Sequence, residues 1–445
     1  MRDPYVILIV IYVFVPYFVA TMVGDPVTGQ ALAAGSAKYA GWAVMLTAPL
    51  LGATVDRMGP RKPWLGWVVA LMVPLIVSLW WARPDGSGLS LTMVVVIIAV
   101  INILFAYSET LHNALLLPAA GMHQAGTASG LGLAFGNFVS VSMLAFVLWA
   151  FALPGKVAWG WVPPAPLFGL DTATHQQDRI TGPLVAAVFA LGAIPLFRFV
   201  PDVPATGMKF WTAVQRGAGD LVALFREARG HSDALVFLLA RMIYTDGLTG
   251  ILVFTGVYAA GVFKWGTLQL IAYGMILSVF AVVGGLLAGW LDGRIGPKRA
   301  VTWQLIGTIT SQLISLGMTP ATFLYRPFDP AAHAPLWNGP MFTTLPELGL
   351  IGAGFLGAIS VSGAYASSRT LLTRVAPRDR IGVFFGLFVI AGNATMWLGP
   401  LLVEQATLAS GSQRWGLLPI SGLLLVGLVV LMFVKGGGRV VGEVP

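Results

Sequence analysis

The chain has 445 residues, of which 57% are apolar and only 10% charged, with a mean hydropathy of +0.82. Soluble domains carry roughly 25% charged residues, so a soluble globular class is excluded and the bilayer is the solvent to reason from. The net charge of +8 sits in loops, where membrane topology accounts for it without nucleic acid, and the absence of Cys excludes disulfides, thiolate metal sites and cysteine nucleophiles.

Hydropathy places twelve spans along the chain. The first, 5–24, is longer than the roughly 7–15-residue apolar core of a signal peptide and reads as a spanning helix. Five more follow at 38–55, 63–82, 90–115, 127–153 and 181–200. The second six lie at 234–258, 268–290, 299–318, 346–368, 380–402 and 414–434. With 54 Gly and 28 Pro, these helices are expected to be kinked and closely packed. The spans divide the chain into an N-terminal six-helix bundle (1–200), a linker (201–232) and a C-terminal six-helix bundle (233–445). In the linker, Met208–Arg229 sets Phe210, Trp211, Val214, Leu221, Leu224 and Phe225 among Arg216, Asp220, Arg226, Glu227 and Arg229. That pattern predicts a helix lying on the membrane surface.

Lys and Arg set the orientation. With both termini inside, eighteen fall on the cytoplasmic side, among them Arg2, Arg57, Lys62, Arg226, Arg229, Lys298, Arg378, Arg380 and Arg439. Seven fall outside, including Lys38, Arg179 and Arg414, and Arg241 lies within a span, which accounts for all 26. The chain also repeats itself. Gly52-Ala-Thr-Val-Asp56-Arg57-Met-Gly59-Pro60-Arg61-Lys62 returns as Gly289-Trp-Leu-Asp292-Gly-Arg294-Ile-Gly296-Pro297-Lys298-Arg299, each copy between two spans. Ala106-Tyr107 matches Ala364-Tyr365. Gly130-Leu131 with Gly136-Asn137 matches Gly386-Leu387 with Gly392-Asn393, always six spans apart. A duplicated bundle of this kind points to a secondary transporter.

Two halves of six spans with this charged turn after span two resemble the major facilitator superfamily. Pro16-Tyr17-Phe18, Gly24-Asp25-Pro26, Asn113-Ala114-Leu115 with Pro118, Ser129-Gly130, Tyr244-Thr-Asp246-Gly247, Phe384-Phe385-Gly386 and Leu398-Gly399-Pro400 resemble one branch of it. That branch is the fungal vacuolar amino-acid effluxer family with its bacterial relatives. The resemblance implies an all-α membrane protein of twelve transmembrane helices in two pseudo-symmetric six-helix bundles, in a bacterial inner membrane. It also implies alternating access and an amino-acid-like cargo. The chain departs from the branch at His112, Ala119, Val383 and Asn393, where aromatic, acidic, acidic and basic residues are usual.

Charged side chains within spans cost about 2.5–3.5 kcal/mol on insertion scales and mark function by default. Asp246 lies about twelve residues into span seven, roughly 18 Å along the helix and near mid-bilayer. The resemblance makes span seven line the central cavity. Asp246 then reads either as a proton carrier or as a structural carboxylate bonded to backbone beside Gly247. The resemblance likewise sets Glu109 of span four and Arg241 of span seven across the cavity as an inner latch. The alternative is that Arg241 snorkels and Glu109 caps local backbone. His112, three residues beyond Glu109 on the same helix face, is a proton relay or an interfacial side chain. Asn137 and Asn393 bind substrate or join helices, and Tyr12, Tyr17, Tyr107 and Tyr365 form cavity wall or ordinary packing. Asp56, Arg57, Gly59, Arg61 and Lys62, with Asp292 and Arg294 in the second copy, read as a conformational gate. Asp56 is expected to bond helix-terminal N–H groups and the basic residues beside it.

The sequence has no phosphate-binding Gly-x-x-x-x-Gly-Lys-Ser/Thr loop, no nucleophile elbow and no metal motif. No enzyme, cofactor or nucleotide-driven pump is expected. The reading is a monomeric secondary transporter in the lipid bilayer, moving a small organic solute with protons. Its rival is a non-transporting scaffold of the same fold, against which the charges at Asp246, Glu109 and Arg241 weigh. The orientation is directly testable in a Cys-free chain. Arg226→Cys should react with a membrane-impermeant thiol reagent only from the cytoplasmic side, and labelling from outside would reverse the topology.

Overall fold

Hydrocarbon offers backbone groups no hydrogen-bond partners, so spanning segments close their bonds internally and interruptions need help from neighbouring side chains. The computed structural model describes residues 4–228, 230–377 and 381–435, without side-chain detail at 116–118, 120–130, 133, 134, 228 and 381–383. Arg2, Arg229, Arg378, Arg380 and Arg439, and the side chains of Pro118, Ser129 and Val383, therefore lie outside the described residues. Among the described residues, ten helices are long and apolar enough to cross a membrane. The expected second and ninth spans are also helices, but they are too polar to count by length and composition. They bury Gln30, Ser36 and Lys38 in one and Gln304, Thr308, Ser311 and Gln312 in the other.

The chain divides into two compact units. The first comprises Met1–Asp25 and Gly35–Leu224. Its first span is not one regular helix: wide turns over Tyr5–Tyr12 and Phe18–Met22 flank the short α1 (Phe14–Tyr17). Val13 and Val23 donate to carbonyls five residues back, the spacing of π turns. Pro16, which offers the Tyr12 carbonyl no N–H, accounts for the irregularity. Then follow α2 (Pro26–Met58), α3 (Lys62–Ser78), α4 (Leu91–Ala114), α5 (Leu116–Val147), the short α6 (Gln176–Arg179), α7 (Thr181–Phe199) and α8 (Phe210–Ala228). Helices α2 and α5 start well before the expected 38 and 127. Pro26 at the first helical position loses no bond, and a polar first turn escapes a hydropathy window.

The charged turn between α2 and α3 is built around the linker. Gly59 has φ +98°, and a Cβ there would stand 2.1 Å from the Pro204 carbonyl oxygen, so only glycine lets the linker backbone pass. The Asp202 carboxylate accepts the N–H groups of Arg61 (2.9 Å), Lys62 (3.0 Å) and Val203 (2.8 Å). It thus caps α3 from a distant part of the chain. Lys62 Nζ donates to the Phe197 carbonyl at the end of α7 (2.9 Å). Arg57 binds Asp220 of α8 through Nε and Nη2 (2.6 and 2.5 Å), and Phe210 stacks on Trp64. The helix expected in the linker is α8, docked on this turn by one face, with Trp211 and Val222 exposed on another. Asp56 pairs with Arg61 (2.6 Å); the helix-terminal amides expected of it belong to Asp202.

The second unit comprises Pro26–Ala34 and Phe225–Pro445. Its elements are α9 (Ser232–Val262), α10 (Thr267–Ile295), α11 (Pro297–Leu316), the hairpin β1 (Thr322–Phe323) and β2 (Arg326–Pro327), α12 (Leu345–Val375), α13 (Ile381–Asn393), α14 (Leu398–Ser410), α15 (Gln413–Gly416) and α16 (Leu418–Met432). Gln30 Nε2 fastens the start of α2 here, donating to Thr407 Oγ1 (2.8 Å) and the Gln413 carbonyl (3.1 Å). The repeated turn between α10 and α11 again ties to its unit's last spanning helix. Lys298 Nζ donates to the carbonyls of Met432 (3.1 Å) and Val434 (2.5 Å). The span expected over 380–402 is found as one membrane-spanning stretch, Phe384–Ser410, made of two helices, α13 and α14. Pro400 leaves the Met396 carbonyl without its donor and crowds it, so the break falls there.

Burial pushes the Asp202 carboxyl up, but the three amides and the Lys62 charge outweigh it and hold it below the usual carboxylate range. A depressed folded pKa gives stability that is present above the unfolded value of about 3.9 and lost as pH falls through the folded value. Asp202→Ala should cost about 1 kcal/mol, read as a lower thermal midpoint of the detergent-solubilised protein near neutral pH. The difference from wild type should close in strong acid. Equal midpoints at pH 7 would remove the cap.

Candidate functional site

Helix α9 carries two intramembrane charges, Arg241 and Asp246. Arg241, Tyr244 and Asp246 are all buried in the second unit, and α9 seats against α16 at Gly427. A Cβ at Gly427 would stand 2.6 Å from that of Tyr244 and 2.8 Å from its backbone nitrogen. This close approach fixes the height of α9 beside the broken span eleven.

Asp246 Oδ2 accepts the N–H of Gly399 at 2.5 Å. Gly399 lies in the first turn of α14, where N–H groups have no helical acceptor, so Asp246 caps the second half of the broken span. One turn back on α9, the Met242 carbonyl accepts from Thr395 Oγ1 in the break itself (2.7 Å). An ionisable side chain and a backbone carbonyl of one helix thus hold both sides of the discontinuity in another. Broken helices with such termini form ion and substrate sites in transporters.

Arg241 serves the first half of the same span. Its Nη1 donates to the Phe388 carbonyl (2.7 Å), and its guanidinium lies 3.4 Å from the centre of the Phe388 ring. Nε is buried without a partner, and among the described residues no carboxylate bonds this cation. The ring face partly offsets the desolvated charge, by about 2 kcal/mol in such settings. Tyr244 Oη shares a hydrogen bond with Ser368 (2.7 Å).

The remaining expected residues scatter. Tyr365 bonds Thr249 of α9 (2.9 Å), whereas its repeat partner Tyr107, in the first unit, bonds Thr47 of α2 (2.5 Å). Asn393 ends α13, its carbonyl accepting from Met396 (3.3 Å). Asn137 is exposed on the unbroken α5 of the first unit. Glu109 and His112 are exposed on α4, and Tyr12 and Tyr17 are buried within the first unit. In the second copy of the turn, Asp292 is buried with one oxygen unpartnered, and Arg294 lies over the Trp290 ring. Asp202, Thr395, Phe388 and Gly399 join these residues only in the structure. Pro400 is the available signal in the sequence for the last three, because a proline inside an apolar run marks an interruption.

Residues 119–437 match the family model described as vacuole effluxer Atg22 like. Autophagy-related protein 22 of Yarrowia lipolytica is 24% identical over 198 residues, which cover 43% of this chain and 30% of that protein. This chain therefore matches under a third of that fungal relative. The uncharacterized MFS-type transporter YxiO of Bacillus subtilis is 21% identical over 418 residues, covering 90% of this chain and 86% of the other. Among solved structures, a mutant of the nucleoside transporter NupG superposes with a TM-score of 0.62 at 13% identity, covering 98% of both chains. The fold is the major facilitator fold.

The seating of α9 is testable apart from its chemistry. Gly427→Leu should destabilise the protein by about 1–3 kcal/mol or more through overpacking, lowering the thermal midpoint. Gly422→Leu, where a Cβ meets nothing within 4 Å, should leave the midpoint within error. Equal behaviour of the two variants would argue against the close approach.

Proposed function

Because this chain belongs to the vacuole effluxer Atg22-like family, we propose that it is a secondary active transporter that couples movement of a small organic solute to protons through Asp246. The transporter class rests on the family and the MFS-type relative. The observation that carries the coupling is one contact, the Asp246 carboxylate on the Gly399 amide at the break of span eleven.

A hydrogen bond to an ionised carboxylate is roughly twice as strong as a neutral one. While Asp246 is charged, α14 is held to α9. When a proton arrives on the carboxyl, the bond weakens and α14 is freer to shift against α9. A proton taken up on one side of the membrane thereby changes the shape of the second unit before it is released on the other. Arg241, with its buried and incompletely bonded guanidinium, is proposed to meet polar cargo on the adjoining half of the span. The cargo class we propose is amino-acid-like, as the resemblance implies, and the setting a bacterial inner membrane with both termini cytoplasmic. The alternating-access cycle itself is part of this proposal.

The test uses proteoliposomes with an imposed pH gradient and a panel of labelled amino acids. Asp246→Asn keeps an acceptor oxygen for Gly399 but cannot carry a proton. It should abolish uphill, gradient-driven movement while retaining counterflow exchange. Normal pH-driven accumulation by the Asn variant would remove Asp246 from the coupling and leave it a structural cap.

A further inference from the structure

The second unit carries a groove separate from the α9 site. It is an open groove between α11, α14 and α16 of about 680 Å³, walled by Ile309, Leu313, Ala406, Trp415, Leu418 and Leu425. That volume lies in the roughly 300–1,000 Å³ range of ligand clefts. The wall is apolar apart from two serines. Ser410 donates to the Ala406 carbonyl (2.6 Å), and Ser421 is 7% exposed, its hydroxyl buried without a hydrogen-bond partner.

A cation stands beside Trp415 of the groove wall. Arg414 Nε donates to the Leu316 carbonyl at the end of α11 (2.5 Å). That bond orients the guanidinium beside the rings of Tyr325 (5.1 Å) and Trp415 (4.9 Å). Among the described residues, neither Nη group donates a hydrogen bond. A fixed arginine with two unused nitrogens suits a phosphate. The exposed Tyr325 and Trp415 are the amphipathic rings found at the level of lipid headgroups. Below them the groove enters the apolar zone of the spans.

We propose that this groove is a binding site for one anionic phospholipid, with the phosphate on Arg414 and an acyl chain in the groove. Two features agree on this occupant: a cation with open valences beside the groove, and an apolar wall continuing inward. A second copy of the chain would leave the Arg414 charge without an anion. Gly422 lines the groove, and a Cβ added there meets no atom within 4 Å, so Gly422→Leu is expected to project into the groove while leaving the helix packing in place.

The experiment is native mass spectrometry of the full-length, delipidated protein in detergent, titrated separately with phosphatidylglycerol and phosphatidylcholine. Wild type should bind a first phosphatidylglycerol roughly tenfold more tightly than phosphatidylcholine, the scale of one charge-assisted contact. Gly422→Leu should lose that first lipid while keeping its thermal midpoint. Arg414→Gln should bind both lipids alike, and Arg414→Lys should recover part of the preference should the Gln variant prove unstable. Unchanged lipid occupancy in Gly422→Leu would mean that the bound lipid is merely annular and would overturn the site. Equal affinity of wild type for the two lipids would overturn the phosphate contact. A dimer that Gly422→Leu dissolves, with no lipid adduct, would give the groove to a second copy instead.

Discussion

Backbone polarity in hydrocarbon is the constraint from which the second unit follows. A chain interrupted inside a bilayer exposes N–H and C=O groups at a cost of several kcal/mol each unless a neighbour supplies partners. Span eleven is interrupted at Pro400, and α9 supplies the partners. Asp246 takes the Gly399 amide, the Met242 carbonyl takes the Thr395 hydroxyl, and Arg241 reaches the Phe388 carbonyl. The side chains that make α9 expensive to insert are therefore the ones that make the broken helix tolerable. A structural and an ionisable role coincide in Asp246, so a change of protonation there is also a change in how a helix is held.

The duplication explains why the two units share a plan, and one residue explains where they part. Asn137 and Asn393 occupy the same place in their repeats. Seven residues on, the first copy has Leu144 and the second Pro400. Helix α5 accordingly continues to Val147, while α13 stops at Asn393. The matched tyrosines diverge in the same way, one bonded to the second span and the other to the seventh. The repeated charged turns have not diverged in this respect. In each unit a lysine of the turn binds the carbonyl end of that unit's last spanning helix.

Much of this architecture is legible in the sequence because apolar length is a strong signal and the bilayer permits few alternatives. Most of the spans, the charged turns and the linker helix can be read directly, and Asp246 stands out as a carboxylate where hydrocarbon should be. What sequence does not display is partnership. Nothing local to Asp202 marks it as the cap of a helix that begins at Lys62, because the contact is made by the return of the chain and not by sequence spacing. The Phe388 ring under Arg241 is hidden for the same reason, one aromatic among the 25 Phe of the chain. Spans two and nine carry glutamines and serines that face protein, and these weaken the hydropathy signal of both helices. Pro400 is visible, and its effect on span eleven follows from its missing N–H.

The lysine clasps also bear on how the protein is made. Lys62 waits for a carbonyl 135 residues further along, and Lys298 for carbonyls 134 and 136 residues further along. Synthesis runs at about 5–20 residues per second, so each turn spends roughly ten seconds in the membrane before its acceptor has been translated. During that interval the lysine is served by water and headgroups, and the half-built bundle stays open on that side. The two units have nearly equal waits, because each lysine is bound by the last spanning helix of its own unit.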